Sequence, residues 1–177
     1  MKFPSQIDVK SVAKFINALG PATKVYIGTD SERMLQKSIW LVDYMSVVIV
    51  HIEGKKGGKI FGAVTRECDY DRKFNRPSLR LMNEVYKSAE LYLALSPLIA
   101  HDIEIHLDIN PDEEFGSSCV IAQAIGYIKG VCNINPKVKP SGFAASSEAD
   151  KLKRILGSRY NSIRGYCREA YCNTLLK

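Results

Sequence analysis

The chain has 177 residues, 46% of them hydrophobic and 25% charged, with a net charge of +6, a balance that excludes a disordered or low-complexity chain and suits one globular domain over 1–177 that buries roughly two-thirds of its unfolded surface. No apolar run approaches the roughly 20 residues that span a bilayer, so no membrane association is expected. The opening MKFPSQIDVK lacks the apolar centre of a secretory signal, and five cysteines (Cys68, Cys119, Cys132, Cys167 and Cys172) without a C-x-x-C pair read as reduced thiols in a cytoplasmic chain.

Asp8 can cap a first helix in which Val12, Phe15, Ile16 and Leu19 keep helical spacing, and Gly20-Pro21 stops it. Lys24 to Ser31 reads as a first strand and Ser38 to Ile52 as a long second one. The glycine-bearing turn EGKKGG then makes a hairpin with a third strand, Lys59 to Thr65. After the polar stretch ECDYDRKFNR the pattern changes to a long helix over about 77–96, with Pro77 in its first turn and Pro97 just past its end. DIEIHLDIN, residues 102–110, alternates as a fourth strand should. Ser117 or Ser118 can cap a third, mostly apolar helix ending near Gly130. Lys137 to Ala144 is a weak fifth strand, placed at a sheet edge by Pro140. Ser147 starts a last helix that stops at Gly157, and residues 157–177 read as a short helical extension. The order β-β-β-α-β-α-β-α, behind an extra N-terminal helix, predicts a mixed five-stranded α/β sheet flanked by helices.

Within that frame four carboxylates stand out. Asp30, in VYIGTDSE, and Asp108, in IHLDINP, both sit at the carboxyl ends of strands expected to be neighbours, where ligands of such sheets gather. Side by side, two carboxylates repel unless a cation holds them. On the long helix Glu84 shares its face with Leu81, Ser88, Leu91 and Leu95, an apolar stripe on which a carboxylate is costly unless it is paired or bound to metal. Glu90 shares a more solvated face with Lys87 and reads as a surface residue. Asp150 follows Ser147 at capping-box spacing, which suits a helix start and leaves it free to serve a metal too. Oxygen donors without histidine or cysteine suit one or two Mg²⁺ or Mn²⁺ ions rather than zinc. His106 alternates with Asp108 on one strand face and is expected to be structural.

With these residues in place, the chain resembles the ribonuclease H-like superfamily, and within it the YkuK-type family. The stretches that carry the resemblance are YIGTDS, EVYKSAELYLALSPLI, IHLDINP, SSCVIAQAIGYIKG and FAASSEADK, together covering about residues 24–156. The resemblance implies a catalytic and metal-binding set of Asp30, Glu84, Asp108 and Asp150, acting in two-metal phosphodiester hydrolysis without a covalent enzyme intermediate. Two departures narrow the substrate. No room is left between Asp108 and Asp150 for the basic handle with which some ribonucleases H grip hybrid duplexes. Asp30-x-Glu32 is similar to the D-x-E of proofreading exonucleases, yet Ser146 stands where those enzymes carry Tyr or His.

Charge supplies an independent pointer to the partner. Residues 151–177 hold seven basic residues against the single acid Glu169, while the first 150 balance at 18 and 18. A basic end on a neutral body suits nucleic acid, with Lys151, Arg154, Arg159, Arg164 and Arg168 as the binding residues and Tyr160, Tyr166 and Tyr171 as stacking surfaces. The sequence therefore predicts a divalent-metal-dependent nuclease or related phosphoryl-transfer enzyme. The alternative is a ribonuclease H-like module that binds nucleic acid or protein without turnover. A nucleotide-binding enzyme of the actin-like kinase type would need a second related domain, for which the chain is too short.

Overall fold

The computed structural model of the protein describes residues 6–54, 57–71, 76–142 and 144. Helix α1, Val9–Asn17, is capped by Asp8, whose carboxylate accepts the Ser11 backbone N–H at 3.2 Å and the Ser11 hydroxyl at 2.6 Å. Three strands follow: β1, Lys24–Gln36; β2, Ile39–His51; and β3, Gly58–Cys68. Then come α2, Ser78–Leu95, β4, Ile103–Leu107, and α3, Ile121–Cys132. The order of the sheet is β3-β2-β1-β4, with β1–β2 and β2–β3 antiparallel and β1–β4 parallel.

One face of the sheet carries the main core. Val25 and Ile27 of β1, Val48 and Val50 of β2, and Ile105 and Leu107 of β4 pack against Val12 and Ile16 of α1, Leu81, Val85 and Ala89 of α2, and Ala124 and Ile128 of α3. The period-2 alternation of the strands meets the 3.6-residue stripes of the helices here, so each element buries the face its sequence pattern marks. Tyr26, Val47 and Ile49 form a smaller cluster on the opposite face, closed by Ala144.

Several expected boundaries move. β1 continues five residues past Ser31, paired with β2 down to Gln36↔Ile39, and β3 reaches Cys68. The serines expected to cap the third helix lie in a 3-10 turn, Gly116–Val120, and α3 begins only at Ile121. It ends at Cys132, where Asn133 takes the left-handed conformation at φ 56°, rather than at Gly130.

The fifth strand is corrected to something smaller. Among the described residues the sheet has four strands, and residues 137–142 run beside β4 with a single parallel bridge, His106↔Lys137. Lys137 donates its N–H to Ile105 O and accepts that of Leu107, both at 2.8 Å. The cis peptide Lys139–Pro140 follows and the ladder stops. The helix expected from Ser147 and the C-terminal extension lie outside the described residues. Cys119 is free and exposed and Cys132 free and buried; Cys167 and Cys172 lie outside the described residues.

Candidate active site

Alternation along β1 fixes the directions of its polar residues. Thr29 and Ser31 turn toward α2: Ser88 Oγ donates to Thr29 Oγ1 at 3.0 Å, and Ser31 Oγ donates to Glu84 Oε1 at 2.5 Å. Asp30, between them, turns to the other side of the sheet. It is half-buried, and its Oδ1 accepts the Ser31 backbone N–H at 2.7 Å.

The parallel pairing of β1 with β4 runs from Val25↔Ile103 to Thr29↔Leu107. Asp30 and Asp108 are therefore the next residues on two adjacent strands, as expected, but only Asp108 follows a strand end: β1 runs on six residues past Asp30 to Gln36. Asp108 is held in an ion pair with the Lys139 ammonium.

Glu84 lies on α2 at 4% exposure. Its stripe is the buried one: Leu81, Ser88 and Leu95 are buried with it, whereas Glu90 is exposed. Burial pushes the Glu84 carboxyl up to about 8, and the negative charge of Asp30 and, more weakly, of Asp108 adds to the rise; the Ser31 hydroxyl and the Arg80 guanidinium oppose it. Arg80 Nη1 stands 3.6 Å from Glu84 Oε1 and donates to Ser31 Oγ at 2.7 Å and to the Ser31 carbonyl at 3.2 Å. Asp71 anchors the first turn of α2 by accepting the Arg80 backbone N–H at 2.7 Å, and Arg33 of β1 bridges to the same loop through an ion pair with Asp69.

The charges of Asp30 and Asp108 thus act on Glu84, although strand alternation sets Asp30 on the opposite side of the sheet from the helix that carries Glu84. The fourth candidate acid, Asp150, and the basic residues Lys151, Arg154, Arg159, Arg164 and Arg168 lie outside the described residues. The donors present fit a hard divalent cation in chemistry, being carboxylate oxygens whose mutual repulsion is already felt at Glu84. Their arrangement is not that of a ready-made cage. Among the described residues no group of three His, Cys, Asp or Glu side chains is gathered as metal ligands, because Glu84 is turned to Ser31 and Arg80, and Asp108 to Lys139.

Ser31, Arg80 and Lys139 were not singled out by sequence. Arg80 had a legible signal, since it stands four residues before Glu84 on the same helix face. Lys139 had none, because its partner is 31 residues away through a loop. His106 is 1% exposed, its Nδ1 accepts the Ala144 N–H at 3.2 Å, and its Nε2 meets Glu104 Oε2 at 3.3 Å. Burial lowers its pKa.

These features define a mixed α/β protein with carboxylates where β4 ends beside β1. The chain belongs to the ribonuclease H-like family known as the YkuK family, which matches residues 8–154. No curated protein and no solved structure matches it. The family ties the fold to nucleic acid. Among the described residues no helix is long and apolar enough to cross a membrane.

Proposed function

We propose that the protein is a divalent-metal-dependent phosphodiester hydrolase acting on nucleic acid, with Asp30, Glu84, Asp108 and Asp150 as the residues that hold Mg²⁺ or Mn²⁺. The observation that carries this reading is the register of β1 on β4, which sets Asp30 and Asp108 side by side where β4 ends, within the electrostatic reach of buried Glu84. Bound there, the cation would supply an acidified water and neutralise charge on the leaving oxygen. The chain's own residues position the donors. Ser31 and Arg80 orient Glu84 from the helix side of the sheet, and the bridged segment at Lys137 fixes the end of β4 that carries Asp108. The basic residues at 151–168 would draw the polyanionic substrate toward a site that is itself acidic.

A second reading rests on a specific observation. Lys139 already balances Asp108 and Arg80 stands beside Glu84, which is also what a binding module without turnover would need. Calorimetric titration of Mn²⁺ separates the two. Binding in the wild type that is lost in both Asp30→Asn and Asp108→Asn, together with metal-dependent cleavage that disappears in the same variants, is the expected outcome. Equal behaviour of all three proteins would sink the enzymatic reading and leave the binding module.

A further inference from the structure

The pairing of Asp108 has a construction of its own. Asp108 Oδ1 is shut off from solvent, and the Lys139 ammonium sits against it. The lysine is delivered there by a segment built to hold one position. The Lys137 bridge clamps its start to β4, Lys139 N–H donates to Ile109 O at 3.1 Å, and Gly142 N–H donates to Val138 O at 2.9 Å. Gly142 lets the segment lie close to the strand, since a Cβ there would come within 2.8 Å of Lys137 O and 3.1 Å of Leu107 O. The backbone that presents Lys139 is therefore fixed on both sides, while its side chain remains 42% exposed against 19% for Asp108. An ammonium on a flexible four-carbon stem can swing out to water without disturbing that backbone.

We propose that Lys139 is the resident counter-ion of Asp108, which a divalent cation must displace to enter the site. The inference rests on the metal-binding reading of Asp108 given above. A lysine at this place keeps the carboxylate compensated when no metal is bound. It also sets a threshold for metal entry, because the incoming cation and the ammonium compete for the same oxygen and repel one another. Once displaced, the ammonium remains beside the site.

The test is calorimetric titration of Mn²⁺ into the full chain and into Lys139→Met, with thermal melting to show that the variant folds. The expected result is binding about tenfold tighter in the variant, equivalent to about 1.4 kcal/mol. Binding by the variant alone would also support the inference, as a threshold too high for the wild type to cross. Equal or weaker binding in a folded Lys139→Met would overturn it while leaving the metal site intact. Binding in neither protein would overturn both this inference and the reading on which it rests. Should the variant fail to fold, Mg²⁺ added to isotope-labelled wild type gives a second readout. The Lys139 ε-methylene NMR resonance is expected to shift on saturation and to stay still in Asp108→Asn; an unmoved resonance in a wild type that binds Mg²⁺ rejects the displacement.

Discussion

Glu84 is a carboxylate packed among Leu81, Val85 and Ser88, and its protonation is where a single residue makes itself felt on the whole fold. Its folded pKa, about 8, stands above the ordinary 4.5. A raised acid pKa means that the folded state holds the proton more tightly than the unfolded chain does. The resulting stabilisation is fully present below about pH 4.5 and is lost as pH rises toward about 8. Glu84→Gln keeps the shape and removes the titration. The variant is expected to be as stable as wild type or less so at pH 5, and to gain on it progressively up to pH 8.5, by on the order of 2–4 kcal/mol at most. Urea denaturation of the two proteins at both pH values measures that difference; parallel profiles would mean that Glu84 is not buried in this way. The residue was legible because its helical neighbours at −3, +4 and +11 are apolar or small. Its partners were less so: Ser31 is one hydroxyl among many, and only Arg80, four positions away, obeyed a rule that could be read along the chain.

At the level of elements, the sequence showed the strands and helices well and their ends poorly. The β1–β2 hairpin illustrates why. Its turn is Lys37-Ser38, both at positive φ, 47° and 65°, a two-residue geometry for which asparagine and glycine are the usual signals. Without them the first strand reads as ending at Ser31, although Glu32 to Gln36 pairs residue for residue with β2. The fifth strand failed in the other direction. Lys137 and Val138 have strand character, but the turn through Pro140 to Gly142 limits pairing to one bridge, and what the segment supplies is a lysine rather than a ladder. Gly142→Ala probes that docking. A methyl group at 2.8 Å from Lys137 O cannot be absorbed by a flexible side chain, since the obstacle is backbone. The variant is expected to lose about 1–3 kcal/mol, read as a lower urea midpoint. A midpoint equal to that of wild type would show that residues 137–142 are not held against β4 as described.

For the molecule as a whole, the distribution of charge bears on how an acidic site could meet a polyanion. The first 150 residues are neutral overall, and the candidate ligands bring negative charge to one end of the sheet. On the proposed reading, long-range attraction to nucleic acid comes from residues 151–177, seven of which are basic. Neutralising three of them, as Arg159→Gln/Arg164→Gln/Arg168→Gln, separates attraction from chemistry. If each contacts a phosphate of a duplex, three fewer counterions are released on binding, and the slope of log K against log salt becomes shallower by about 2.7. Affinity is expected to fall most at low salt, whereas the Mn²⁺ binding proposed at Asp30 and Asp108 should be unchanged. Fluorescence anisotropy with a labelled oligonucleotide across a salt series measures the slope. A slope equal to that of wild type would remove the basic end from the interface and require the polyanion to be drawn in by the body of the protein, where Arg80 and Lys139 already face carboxylates.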